Sequence, residues 1–297
     1  MIKTTINTKN LKDADVVLIS APYEKTASSH KGTVHGPKAV IECLDHQIEF
    51  FDRKLKVNVI DFVKTAHLNL GNIEKLSPAN AFKKINDNYE KVVKANKFGF
   101  ILGGEHAVSL GAFKALSLKY NPKDVTILHI DAHCDLRNDD SDYNYKTTPS
   151  TFAHSTVMRR ASELGYNIVQ VGIRTFSKEE HDYFSNPKNK VKVWQWGLGD
   201  KPKVDQVLKS IKTKYFYLSI DVDGFDPAHM PGTGTPVQGG LKWNYGMKLI
   251  ERAINKKELI GADIVEVSPM RDSVLTEYGA AQLAYTIITN KFRNKFK

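Results

Sequence analysis

Three short segments of this chain carry side chains suited to binding divalent cations: His106 in GGEH, Asp131, His133 and Asp135 in DAHCD, and Asp221 and Asp223 in DVDGFDP. Together they supply two imidazoles and four carboxylates. Four bare carboxylates in one place would repel and drive their pKa values apart, whereas two divalent cations would balance them charge for charge. Ligation dominated by oxygen with a minority of imidazole suits manganese best, because zinc favours four-coordinate sites richer in nitrogen and sulfur. A lone D-x-D is usually a turn or a capping carboxylate, and Gly-Gly is a common turn. All three segments together, each following or closing an apolar run, point to a hydrolytic metalloenzyme.

Such side chains meet only if the fold brings several chain segments to one place. The alternation of short apolar runs predicts strands over Asp15–Ser20, Val57–Phe62, Phe98–Leu102, Val125–Asp131, Asn167–Ile173, Lys190–Trp194, Tyr215–Asp221 and Ala262–Ser268. Between them it predicts helices over Pro37–Asp45, Pro78–Asn96, Ala107–Tyr120, Ser155–Gly165, Lys178–Phe184, Val204–Lys212 and Tyr245–Lys257, with a last one near Gly279–Thr289. Strand alternating with helix implies a parallel α/β sheet covered on both faces. Continuous apolar strands such as VTILHI suit that burial. Eight strands admit an open sheet or a closed barrel, and in both, ligands gather at the carboxyl ends of the strands, where the three segments fall. If the strand period of two persists, Asp131, His133 and Asp135 share a face and Cys134 points away. Asp221 and Asp223 pair up for the same reason. Gly103-Gly104 lets the backbone turn sharply before His106. No linker or repeat divides the chain, so residues 1–297 are expected to form one domain. The stretch Arg137–Ser150 is long enough to suggest a lid or binding loop.

Composition narrows the classes further. The chain has 297 residues, 41% hydrophobic and 26% charged, with no apolar run long enough for a membrane span. The N-terminal MIKTTINTKNLKDAD has no apolar core of the signal-peptide kind. Two cysteines, Cys43 and Cys134, fit a reducing compartment better than a disulfide framework. A cytoplasmic location is expected. The formal charge of +10 raises nucleic-acid binding as a possibility. The lysines are scattered, though, and no zinc-finger spacing or aromatic RNA-binding signature accompanies them. A solvated lysine-rich surface explains the excess, with the tail Lys291 to Lys297 as a helix end. Neither nucleic acid nor membrane is expected as a partner.

The motifs ILGGEHAVSLG at 101–111, HIDAHCDLR at 129–137, SIDVDGFDPAHMPGTGTPVQGGL at 219–241 and DIVEVSPMRD at 263–272 resemble the ureohydrolase family of arginases and agmatinases. GTVHGPKAVIE at 32–42 resembles its N-terminal segment, so the likeness spans nearly the whole chain. The resemblance implies a three-layer α/β/α sandwich around an eight-stranded parallel sheet, which favours the open sheet over the barrel. It also implies a homo-oligomer, trimer or hexamer, and two Mn2+ ions per subunit. Asp131 and Asp221 would bridge the ions, His106 and Asp135 complete one, and His133 and Asp223 the other. An ion-activated water would attack a guanidinium carbon, yielding urea and an amine. Glu266 in VEVSP matches the family glutamate that binds the guanidinium. His154 in FAHS matches the histidine that shuttles a proton to the departing amine. Taken alone, these two read as a buried carboxylate and a helix N-terminal histidine. His129 is assigned to packing around Asp131 and not to the ligand set. Asp226-Pro227 and the Pro231–Gly240 segment are read as a structural turn. Glu105, where many relatives have aspartate, is not expected to ligate metal.

The metal chemistry does not distinguish one guanidino compound from another. Discrimination should come from the loop at 136–153, whose DLR…HSTVMRR pattern is more similar to agmatinases. Asp139, Asp140 and Asp142 would give a negative field for a substrate ending in an ammonium group, while Arg137 could pair with a carboxylate. Agmatine is therefore the expected small-molecule substrate. Arginine, guanidinobutyrate, guanidine and formimidoyl-glutamate are the alternatives within the family. A one-zinc deacetylase-like amidase of similar fold would not need His106 and the fourth carboxylate. A non-catalytic binding protein on this fold would not need the full ligand set.

Overall fold

In a computed structural model, which describes residues 4–143, 148–199 and 201–296, ten strands form in chain order. These are β1 (Val16–Ala21), β2 (Phe51–Asp52), β3 (Val57–Asn58), β4 (Thr65–Asn69), β5 (Phe98–Gly103), β6 (Val125–Ile130), β7 (Asn167–Ile173), β8 (Val191–Gln195), β9 (Tyr215–Asp221) and β10 (Glu258–Val265). Eight make one sheet in the order β4-β1-β5-β10-β9-β6-β7-β8. Every pairing in that sheet is parallel. The interior strands β1, β5 and β6 are buried along their whole length, as their unbroken apolar runs require.

Among the described residues eight α-helices cover the two faces: α1 (Gly36–His46), α2 (Pro78–Lys94), α3 (Ser109–Leu116), α4 (Val157–Glu163), α5 (Lys178–Ser185), α6 (Val204–Ser210), α7 (Trp243–Lys256) and α8 (Leu275–Lys291). On one face Leu18, Phe100, Leu128, Leu218 and Ile264 pack with Val40, Val207, Leu249 and Leu283 from α1, α6, α7 and α8. On the other, Val17, Ile19, Ile101, Ile127 and Tyr217 pack with Ile85, Phe113 and Met158 from α2, α3 and α4. This is the expected three-layer sandwich. Each of these fully buried aliphatic or aromatic side chains contributes about 1.5–3 kcal/mol, so the sheet is a rigid base for what its ends carry.

Local chemistry starts the helices as expected. Ser77 accepts from the Asn80 N–H ahead of Pro78, and Ala81, Ile85 and Tyr89 then repeat along the buried side of α2. At α5, Ser177 and Glu180 cap each other reciprocally. Glu180 also accepts from Leu136 N–H at 3.0 Å, tying the start of the 136–153 loop to a helix end.

Two expected strands come out differently. Val57–Phe62 is β-branched, but only Val57–Asn58 is extended, paired antiparallel with Phe51–Asp52, and Val59–Asp61 turns into a short 3-10 helix. The eighth strand of the sheet is β4, TAHLN, half-exposed at the sheet edge. An edge strand needs little apolar sequence, so it gave no signal. The last strand spans Glu258–Val265, starting and ending earlier than expected, because the chain breaks from the sheet at Glu266, whose φ is 62°.

Among the described residues no helix is long and apolar enough to cross a membrane. The basic tail ends as expected in the last turn of α8 and a 3-10 turn over Arg293–Phe296, with Lys295 paired to Asp15 at 2.6 Å. Its final residue, Lys297, and residues 144–147 of the suspected lid lie outside the described residues.

Candidate metal centre

The four strands β5-β10-β9-β6 are neighbours in the sheet, and their carboxyl ends carry the candidate residues: His106, Glu266, Asp221 with Asp223, and Asp131 with His133 and Asp135. The chain leaves β5, crosses to β6, and returns later to lay β9 and β10 between them. The candidate ligands thus converge although 117 positions separate His106 from Asp223, in the kind of crevice where α/β sheets bind their ligands.

The cluster has two lobes that share Asp131. In the first, His106 Nδ1 lies 3.1 Å from Asp131 Oδ2, 3.2 Å from Asp135 Oδ2 and 3.5 Å from Asp221 Oδ2. In the second, His133 Nδ1 lies 3.0 Å from Asp223 Oδ2 and 3.5 Å from Asp131 Oδ1. All six expected residues come together. Asp221 sits with the His106 lobe, and its other oxygen accepts the Asp223 N–H at 2.9 Å.

Strand alternation is not what aligns them. β6 ends at Ile130, and Asp135 has a φ of 54°, so the side chains of 131, 133 and 135 fan out from a turn and reach different lobes. Likewise Val222–Gly224 is a 3-10 turn, not an extension of β9. Short backbone bonds lock these turns: His133 N–H donates to Asp131 Oδ1 at 2.6 Å and Ala132 N–H to Asp223 Oδ1 at 3.0 Å.

The donor set suits cations. His106 Nε2 lies 2.9 Å from Ser219 Oγ, which itself donates to Asp263 Oδ1 at 2.8 Å. The serine proton is thereby committed to Asp263, so Nε2 must carry the imidazole proton and the Nδ1 lone pair faces three carboxylates. His106 Nδ1 and Asp131 Oδ2 are both buried without a hydrogen-bond partner. Lone pairs crowded in this way need a cation among them.

Electrostatics say the same. Burial opposes a charge on His106, yet Asp131, Asp135 and Asp221 push its pKa well above the ordinary value. His133 is raised against burial by Asp223 and Asp131. Burial, the Asp223 charge and the Asp131 charge raise Asp221, while burial and Asp131 raise Asp135 to about 6. Burial would raise Asp131 too, but His129, His106 and His133 hold it well below the usual range. Protons here stand where positive ions would bind.

A cavity of about 360 Å³ opens over the cluster, lined by Ser28, His133, Asp135, Arg137, His154 and Thr235 among others. His154 Nδ1 lies 3.8 Å from Glu266 Oε1, and its buried Nε2 has no partner. Burial, helped by the charges on His133 and His106, lowers the His154 pKa to about 4. Glu266 Oε1 accepts the His106 N–H at 2.8 Å, and burial and Glu105 raise its pKa well above the carboxylate range.

Of the acidic loop residues expected to give a negative field, Asp142 is paired with a cation, Arg137. Asp140 accepts from Ser150 N–H at 2.6 Å, and Asp139 from Ser141 N–H at 3.0 Å. Glu105 stands outside both clusters of candidate donors. It accepts from Thr26, through Oγ1 and, at 2.9 Å, the backbone N–H, holding the segment that brings Ser28 and Ser29 to the cavity.

Sequence reasoning missed several supporting residues. Arg174 is half-buried and donates to the carbonyls of Asp223 at 2.7 Å, Val237 at 2.6 Å and Gly172 at 2.9 Å, clamping the turn after β9. Ser219 and Asp263 orient His106, and Thr235 Oγ1 donates to Asp223 at 3.2 Å. Only Ser219 carried a signal, two residues before Asp221 on the same strand face.

The chain matches the family model described as Arginase family over residues 14–289. It is 36% identical over 281 residues to the N(1)-aminopropylagmatine ureohydrolase of Synechocystis, covering 93% of this chain and 89% of that one. It is 33% identical over 268 residues to an agmatinase of Bacillus subtilis, covering 88% and 86%. The crystal structure of the agmatine ureohydrolase of Thermoplasma volcanium superposes with a TM-score of 0.84 at 27% identity, covering 100% of this chain and 96% of that one.

Proposed function

The chain belongs to the arginase family, hydrolases of linear amidine C–N bonds, and on that premise we propose that it cleaves agmatine to putrescine and urea with two Mn2+ ions per subunit. His106 and Asp135 would hold one ion, His133 and Asp223 the other. Asp131, whose two oxygens face the two lobes, would bridge them. Asp221 is assigned the second bridge. When bound, the ions would neutralise the carboxylates and activate a water near neutral pH. Glu266 receives the planar guanidinium through paired N–H···O contacts. His154, kept neutral by burial, carries a proton to the departing amine.

The observation that carries the choice of substrate is the state of Arg137. It is the one lysine or arginine among the described lining residues of the cavity, and it is already paired with Asp142 and stacked over the Tyr143 ring at 4.7 Å. A substrate carboxylate, as in arginine or guanidinobutyrate, would have to break that pair. An uncharged or ammonium-ended tail would meet hydroxyls, the aromatic surface of Tyr143 and Phe176, and the Glu180 carboxylate, with no such pair to break. Aminopropylagmatine, longer but also without a carboxylate, is the second reading, favoured by the 36% identity to an enzyme named for it.

The test is urea release by Mn2+-loaded protein from agmatine, aminopropylagmatine, arginine and 4-guanidinobutyrate. Agmatine should give the highest kcat/KM. Preference for arginine or guanidinobutyrate would overturn the reading, and preference for aminopropylagmatine would move it to the second substrate.

A further inference from the structure

His129 is buried beside the His106 lobe, where its Nε2 lies 2.8 Å from Asp131 Oδ2, close enough to be taken for a seventh ligand. Its other nitrogen decides the matter. Gln170 Nε2 lies 2.9 Å from His129 Nδ1 and 2.7 Å from the carbonyl oxygen of Cys134. A carbonyl can only accept, so the amide nitrogen, and not the amide oxygen, must occupy this position. Its two protons then serve Cys134 and His129 Nδ1, and Nδ1 is an acceptor. The proton of the neutral ring is left on Nε2, the atom that faces Asp131. The two atoms do not meet hydrogen-bond geometry, but at 2.8 Å two lone pairs would repel, and a proton on Nε2 makes the contact electrostatically attractive.

We propose that His129 is a positioning residue: Gln170 fixes it as the Nε2–H tautomer, and its N–H dipole, 2.8 Å from Asp131 Oδ2, holds that carboxylate electrostatically toward the ion held by His106 and Asp135. The inference rests on the two-ion reading above. It assigns Gln170, His129 and Asp131 to one buried relay, beside the separate relay Asp263, Ser219 and His106. Both relays act on the same lobe. The second lobe takes its support from Thr235, whose hydroxyl donates to Asp223, and from the Arg174 clamp. Groups that orient metal ligands in this way are typically worth about 10–100-fold in metal affinity, so removing the His129 donor should weaken the ion at His106 and Asp135 more than the other.

Mn2+ titration of metal-stripped protein by calorimetry, with metal counted after desalting, tests this in wild type, His129→Phe and His129→Gln. Wild type should bind two ions. His129→Phe keeps a ring but no donor and should lose about 10–100-fold in affinity for the ion at His106 and Asp135, and less for the other, because the His133 N–H still holds Asp131 Oδ1. His129→Gln offers an amide N–H at a similar reach and should bind both ions within a few-fold of wild type. A phenylalanine variant that binds both ions normally would overturn the proposal. So would a glutamine variant as impaired as the phenylalanine one, since that is the signature of a direct ligand. A wild type that binds fewer than two ions would instead sink the underlying two-ion reading. Should neither variant fold, the 15N spectrum of selectively labelled wild-type histidines reads the tautomer directly. A His129 protonated on Nδ1 would refute the relay.

Discussion

Gly104→Ala tests how tightly the metal centre depends on the backbone beneath it. A methyl group at this position would sit 2.1 Å from the Tyr23 carbonyl oxygen and 2.8 and 2.9 Å from the Tyr23 nitrogen and carbonyl carbon. Carbon and oxygen approach comfortably at about 3.3–3.6 Å, so the two segments must part by about 1 Å. Three backbone hydrogen bonds stand in the way: Gly104 N–H to Ala21 O at 3.0 Å, Glu105 N–H to Tyr23 O at 2.7 Å, and Glu266 N–H to Gly104 O at 2.8 Å. Losing two of them while absorbing an overpacked methyl costs about 3–5 kcal/mol. That is a large part of the roughly 5–15 kcal/mol that holds a domain together. The metal should feel it more sharply still, because His106 follows two residues later and metal–ligand distances tolerate only about 0.2 Å. Thermal melts in chelator should therefore show a drop of many degrees, and Mn2+ should restore less stability than it does in wild type. Metal counts after desalting should fall from two ions to one or none. Two ions retained, with a melting temperature within a degree of wild type, would refute the reasoning.

Two further outcomes follow from other parts of the site. Arg174→Lys keeps the charge but loses the planar fork that reaches the carbonyls of Asp223 and Val237. It should lower stability in urea by about 2–3 kcal/mol and weaken the ion at His133 and Asp223 more than the other, as read by calorimetric Mn2+ titration. For His154, whose folded pKa lies near 4 against the ordinary 6.5, the sign runs toward acid lability. The stability it contributes is full above about pH 6.5 and drains away as pH falls toward 4. Metal-free wild type should lose about 2 kcal/mol more than His154→Asn between pH 7 and pH 5, measured by urea unfolding at both values.

The layer architecture was legible because buried parallel strands read as near-continuous apolar runs, and VTILHI, NIVQVGI and YFYLSID do, with few polar interruptions. TAHLN was missed for the converse reason: at the sheet edge only its first two residues are fully buried, so it needs little apolar sequence. The six candidate metal-binding residues and the pair His154 and Glu266 were legible as residue types. The residues that hold them were not. Arg174, Gln170 and Asp263 act through contacts 41 to 63 positions away in sequence, and no local pattern marks such a partner.

The reason the ligands converge was also read differently from the sequence than it stands in the structure. Alternation along a strand put Asp131, His133 and Asp135 on one face, yet the strand has ended before the first of them. Among the described residues only five non-glycine positions have positive φ, and Asp135 and Glu266 are two of these. Each such conformation costs about 1–2 kcal/mol for an L-residue, which only an over-determined surrounding can hold. Here the surroundings are the Met158 and Arg159 N–H groups on the Asp135 carbonyl, and the Gly104 carbonyl on the Glu266 N–H. A straight strand extension would have sent His133 and Asp135 to the same ion. The left-handed turn at Asp135 instead sends its carboxylate to the His106 lobe while His133 serves the other. The two-lobed centre therefore arises because the backbone leaves the sheet at the carboxyl end of β6, and the rigid sheet beneath lets that local strain persist.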